Sequence, residues 1–138
     1  MFKKILAAYD GSDSAMMAFN HALDLAKKYE AELHVLSVVR PPDIAEEVET
    51  EAIMENSQKH YQEIQEPLKA IADAVGVSVR FGVAIGHPAV KVTTYAEENV
   101  IDLIVIGHRG KTLFERWLIG SVAKKVMSYA PCSVLVVR

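Results

Sequence analysis

The chain has 138 residues, 51% of them hydrophobic, and a formal net charge of −3. That composition describes one domain with enough apolar material for a core, too much for an intrinsically disordered chain. The acidic balance gives no general case for a nucleic-acid partner. No apolar run approaches membrane-spanning length, so no membrane partner is expected. The single cysteine, Cys132, excludes an internal disulfide and fits a cytoplasmic location.

The opening Met1-Phe2-Lys3-Lys4 resembles the charged start of a signal peptide. The apolar run that follows, Ile5 to Tyr9, ends at Asp10 and is too short for a signal core. Lys4 to Tyr9 reads instead as a first strand, apolar on both faces, as a buried parallel strand would be. Asp10-Gly11-Ser12-Asp13-Ser14 is a turn rich in helix caps. Ala15, Ala18, Phe19, Ala22, Leu23 and Ala26 then recur at the spacing of a helix stripe facing a core.

Glu32 to Val39 is the second strand, ended by Pro41-Pro42. Asp43 to Glu66 is acidic and reads as a solvated helix face. Tyr61, Ile64, Leu68 and Ile71 would be the buried stripe of that helix, and Pro67 should kink or break it. Val77 to Val83 alternates as a third strand, and Gly86-His87-Pro88 is a turn. Ala89, Val92, Thr93 and Ala96 mark a third helix. Asp102 to Ile106 is the fourth strand, and Val122, Val126 and Met127 mark a fourth helix, ended by Pro131. Ser133 to Val137 is the last strand.

Strands alternating with helices imply an α/β fold. Right-handed crossovers favour a doubly wound, five-stranded parallel sheet in the order 3-2-1-4-5, with helices on both faces of a single domain, residues 1–138. In that order strands 1 and 4 are neighbours at the switch point. The turns after them, at Asp10 and Gly107, would then lie side by side where open α/β sheets bind ligands.

The turn after the fourth strand carries the chemistry. Gly107-His108-Arg109-Gly110 is followed by nine residues, Lys111 to Ile119, and then Gly120-Ser121. Glycines let backbone N–H groups approach a ligand with no Cβ in the way. A helix N-terminus adds partial positive charge and unpaired donors, which suit phosphate, and Ser121 can cap that helix or offer its hydroxyl to an anion. From Gly107 to Lys125 the basic residues Arg109, Lys111, Arg116, Lys124 and Lys125 face only Glu115. The stretch is near +4 in a chain whose remainder is near −7. A basic island of this kind suits a small polyanion. Gly110-Lys111-Thr112 imitates the tail of a P-loop, but Val105 stands where that motif needs a glycine. No Gly-x-Gly-x-x-Gly fingerprint follows the first strand.

These residues resemble the universal stress protein family over the whole chain. Ile5-Leu6-Ala7-Ala8-Tyr9-Asp10-Gly11-Ser12 is similar to its first strand and turn, and Gly86-His87-Pro88 to its Gly-x-Pro turn. Asp102 to Gly110 resembles its fourth strand, and Gly120-Ser121-Val122 with Ala130 to Val137 its closing segment. Gly-x2-Gly-x9-Gly-[Ser/Thr] marks the ATP-binding branch, and every position of it is present.

The resemblance implies that Asp10 sits on the ribose and that Tyr9 and Val38 meet the adenine, partly through backbone. It implies that Gly107 and Gly110 cradle phosphates and that Gly120, Ser121 and Val122 hold them from the helix N-terminus. Ile106, His108 and Arg109 complete the expected ATP site. Two residues depart locally from the family pattern: Trp117 stands where a leucine is usual, and Ser133 where a proline is frequent.

The expected function is an ATP-binding stress-response or regulatory protein with slow or no hydrolysis. Mg²⁺ would arrive with the phosphates and be held by them. An apolar last strand at a sheet edge invites a second copy, so a homodimer through Ser133–Val137 is expected. Two rival functions stay open. One is an adenylating ATP pyrophosphatase on a related fold, whose Ser-Gly-Gly-x-Asp-Ser is met only in part by Tyr9-Asp10-Gly11-Ser12-Asp13-Ser14. The other is a dimeric scaffold that needs no nucleotide. No catalytic set is evident, since no carboxylate beside His108 in sequence would orient it as a base. His21, His34, His60 and His87 lack metal-ligand spacing.

Overall fold

A computed structural model describes residues 1–41, 47–109 and 120–138. Nine elements alternate in chain order: β1 (Lys4–Ala8), α1 (Asp13–Tyr29), β2 (Glu32–Val39), α2 (Glu47–Ala74), β3 (Val79–Ile85), α3 (Pro88–Glu98), β4 (Leu103–Gly107), α4 (Ser121–Tyr129) and β5 (Ser133–Val137). The strands form one sheet in the order β3-β2-β1-β4-β5, and every pairing is parallel. This is the doubly wound order that the alternating pattern implies.

Period-two alternation of side chains divides the core into two layers. Ile5, Ala7 and Tyr9 of the first strand and its turn face one layer, with Leu33 and Val35 of β2 and Leu103 and Val105 of β4. Helices α1 and α2 cover it through Ala18, Phe19, Ala22, Leu68 and Ala72. Leu6, Leu36, Ile104 and Ile106 face the other layer, covered by Ala89, Val92 and Ala96 of α3 and by Ala123 and Val126 of α4. Helix α1 forms where its stripe demands, opened by Ser12, whose Oγ accepts from the N–H of Ala15 at 3.1 Å.

Helix α2 runs through Pro67 without breaking, and its buried stripe differs in part from expectation. Its buried side is Gln65, Leu68 and Ala72, flanked by the half-buried Ile64, whereas Ile71 is exposed. Glu55, Glu63 and Glu66 lie on the solvated side, as the acidic pattern requires. The third strand is displaced two residues toward the C-terminus of its expected span. The fourth begins one residue late, so that Gly107 is its last residue rather than the first of the turn. On α4, Val126 is buried and Met127 is exposed.

Candidate functional site

The carboxyl ends of β1 and β4 adjoin, since Ala7 pairs with Val105 at the last step of that ladder. This brings the Asp10 turn and the Gly107 turn to one corner of the sheet. Asp10 is half-buried, and its Oδ1 accepts from the N–H of Ser12 at 2.9 Å, holding the turn that feeds α1. Its second carboxylate oxygen has no hydrogen bond among the described residues and remains an open acceptor.

Tyr9 continues the alternation of β1 past its last residue. Its side chain is buried in the layer under α1 and α2, and burial, then the neighbouring Asp10 carboxylate, push its phenol above the usual range. Its N–H donates to the carbonyl of Leu36 at 3.0 Å, and its carbonyl accepts from Ser37 Oγ at 2.5 Å. The backbone of Tyr9 is therefore engaged inside the protein, apart from one carbonyl lone pair. Val38 is half-buried and packs against the opposite layer. Ile106 is buried in that same layer.

Behind Tyr9 lies a polar chain that periodicity did not reveal. Gln65 of α2 is buried, and its Nε2 donates to Ser37 Oγ at 2.9 Å and to the carbonyl of Gly82 at 3.1 Å. Ser37, also buried, passes the chain on to the Tyr9 carbonyl. Three elements are thus tied to the residue before Asp10. The available signal was a glutamine at a core position of the 65-68-72 helical stripe.

The glycine motif closes on itself. The N–H of His108 donates to the carbonyl of Val137 at 2.8 Å, and the carbonyl of His108 accepts from the N–H of Gly120 at 2.6 Å. The two ends of the motif are therefore neighbours. Gly110 and the excursion from Lys111 to Ile119, including Trp117, lie outside the described residues. Gly107 owes its identity to packing: a Cβ there would stand 2.8 Å from the backbone carbonyl carbon and oxygen of Ser14, where the first turn of α1 crosses the end of β4. The N–H of Arg109 reaches Ser14 Oγ at 3.4 Å, a weak bond to the same turn.

His108 is not open to solvent: it is only 6% exposed, and its buried Nδ1 has no hydrogen-bond partner among the described residues. Ser121 is not the cap of the fourth helix either. Gly120 occupies that position, and no side chain caps the end. Ser121 is the first helical residue and is exposed. The first intrahelical bond runs from Lys124 N–H to the Gly120 carbonyl, so the N–H groups of Ser121 and Val122 have no helical acceptor. With the helix dipole behind them, they form an anion-facing end beside His108.

A family model, the universal stress protein family, matches residues 1–138. Universal stress protein MJ0531 of Methanocaldococcus jannaschii is 38% identical over 141 residues, covering 100% of this chain and 83% of that protein. Among solved structures, universal stress protein UspA from Lactobacillus plantarum superposes with a TM-score of 0.92 at 26% identity, covering 99% of this chain and 98% of that one. A universal stress protein in complex with cAMP shares the fold at a TM-score of 0.77 and 23% identity, over 99% of this chain and 97% of that one. Among the described residues no helix is long and apolar enough to cross a membrane, and no cluster of His, Cys, Asp and Glu could hold a metal ion. The whole-chain match and the identity to MJ0531 settle membership: this chain belongs to the universal stress protein family.

Proposed function

We propose that this protein binds ATP as a regulatory member of its family, with slow or no hydrolysis. One observation carries the reading. The Gly120–His108 bond closes the motif and leaves the uncapped start of α4 beside the end of β4, at the corner of the Asp10 turn. The open carboxylate oxygen of Asp10 suits a ribose hydroxyl, and the N–H groups of Ser121 and Val122, which have no acceptor among the described residues, suit phosphate oxygens. The cAMP complex of a protein with this fold supports an adenine nucleotide as the ligand class. Mg²⁺ would enter with the phosphates, which, with water, supply most of its oxygen ligands. Turnover is slow in this reading because, among the described residues, His108 Nδ1 has no hydrogen-bond partner to orient the ring as a base.

The protein acts as a homodimer in this proposal. β5 ends the sheet, and its Val134, Leu135 and Val136 are only half-buried, an edge that a second copy can cover. Sedimentation of the wild type as a monomer would exclude it.

Mass spectrometry of nucleotide released from the denatured protein, with thermal unfolding in Mg-ATP, tests the ligand. At ligand about 100-fold above its dissociation constant, binding contributes roughly 2.7 kcal/mol. In a domain of this size that raises Tm by roughly 8 °C. Gly120→Val should abolish the rise, and Lys27→Ala, on exposed α1, should keep it. No rise in the wild type and no co-purified nucleotide would overturn the reading. AMP and pyrophosphate as products would make the protein an adenylating enzyme instead.

A further inference from the structure

A cleft of about 240 Å³ opens between the start of α3 and the start of α4. Three basic side chains from three different elements line it: Arg40 beyond β2, His87 at the cap of α3, and Lys125 in the second turn of α4. Among the described residues no carboxylate lines it, and none of the three forms an ion pair. In a chain with net charge −3, the cations Arg40 and Lys125 share one concavity with the imidazole of His87, and their mutual repulsion is relieved when an anion enters.

The walls of the cleft have the same preference. Neither α3 nor α4 has a side-chain cap, so both helix starts offer unpaired N–H groups beside the basic side chains. Pro88 has no N–H to give, but the first intrahelical bond of α3 comes from Lys91, which leaves Ala89 and Val90 as donors. Ser121 and Val122 belong to the cleft as well as to the nucleotide corner. A chain of phosphates that meets α4 at Ser121 can therefore continue into the cleft.

We infer that this cleft is a polyphosphate clamp, in which Arg40, His87 and Lys125 hold the distal phosphates of the ligand. The inference rests on the nucleotide reading above and narrows it. The site selects nucleotides by the length of their phosphate chain, taking ATP and rejecting AMP and cyclic monophosphates. Specificity for chain length then resides outside the glycine motif, in residues that the motif does not include.

Calorimetric titration of the full chain with ATP, AMP and inorganic tripolyphosphate tests the clamp. The variant is Arg40→Ala combined with Lys125→Ala; both side chains are exposed, so the fold should tolerate their removal. The wild type should bind ATP at least about tenfold more tightly than AMP, a difference of about 1.4 kcal/mol. In the double variant ATP should fall to within about threefold of AMP, with AMP itself unchanged. An ATP-to-AMP ratio that survives the double substitution overturns the clamp, as does a wild type that binds AMP as tightly as ATP. If the wild type binds neither nucleotide, the nucleotide reading fails by itself, and tripolyphosphate decides the clamp. Tripolyphosphate binding that is lost in the double variant sustains it, and no tripolyphosphate binding overturns it.

Discussion

β2 carries two buried polar side chains three residues apart, and they serve opposite layers and opposite ends of the sheet. Ser37, near the carboxyl end, faces the α1–α2 layer and sits in a chain of neutral groups: Gln65 donates to it, and it donates to Tyr9. His34, near the amino end, faces α3, where its Nδ1 lies 2.6 Å from the Tyr95 hydroxyl. Its Nε2 stands 3.6 Å from Glu32 and has no hydrogen bond, while Glu32 pairs with Arg80 at 2.8 Å. The odd spacing puts the two on opposite faces of one strand. A buried polar group that is fully paired is rigid and indifferent to pH, whereas one left partly paired among charges is a point where pH acts on the fold. The neutral network sits behind the corner of the Asp10 and Gly107 turns, and the titrating one at the far end.

The largest effect should come from breaking the neutral network. Gln65→Leu keeps the volume but strands the Gly82 carbonyl and removes the donor to Ser37 in a buried place. Unsatisfied buried groups cost roughly 1–3 kcal/mol, so a loss of about 2 kcal/mol is expected in urea unfolding. Because the network is neutral, the loss should be equal at pH 5.5 and pH 7.5. The variant should also weaken nucleotide binding, since it frees the strand end that carries Tyr9 and Asp10. A loss that changed with pH would show that the network carries charge.

The second prediction concerns His34. Burial lowers its pKa from the usual 6.5; the nearby Glu32 carboxylate raises it, and Arg80 and Lys4 lower it further. The Tyr95 phenol on the facing helix is itself pushed up by burial, so it remains neutral throughout this range. With its folded pKa below the unfolded one, His34 takes a proton more readily in the unfolded chain. Its contribution is therefore complete above pH 6.5 and is lost as pH falls through the folded value. Wild-type stability should decline on that side, by less than Gln65→Leu costs. His34→Gln, which cannot be charged, should flatten the decline. An unchanged acid limb in that variant would remove His34 from the account.

The same contrast explains what the sequence disclosed. Layers and four helices follow from apolar periodicity, which is local, and strand order from the handedness of the crossovers. The third strand starts later than alternation alone implies because Val77 still bonds back to α2, which ends at Ala74. Gly76, at φ +76°, turns the chain, and the Val77 N–H bonds back to the Ala72 carbonyl, so the sheet begins only at Val79. The spacing of Gly107 and Gly120 was readable, but the reason for Gly107 was not, since Ser14 lies far away in sequence. Burial of His108 and the Ser37–Gln65 bond likewise depend on contacts between distant segments, to which periodicity is blind.

The smallest effect sharpens the comparison most. Arg80 is 72% exposed at its side chain, and its pair with Glu32 lies at the surface. Exposed pairs contribute about 0.2–1 kcal/mol, so Arg80→Ala should cost little at pH 7.5. Its consequence for the acid limb is separate. Arg80 holds the His34 pKa down, and removing it leaves Glu32 opposed only by burial and by Lys4. The folded pKa must then rise toward the unfolded one, and the loss of stability on acidification must shrink. The expected result is thus a small penalty at pH 7.5 that narrows, or reverses, at pH 5.5. High salt, which screens the exposed Arg80 more than the buried contacts, should move the wild type in the same direction. Gln65→Leu should show neither response, because no charge enters its network. An Arg80→Ala penalty that stayed constant with pH would mean that His34 is isolated from the surface charges, and the far end of β2 would then be as indifferent to pH as the end that carries the site.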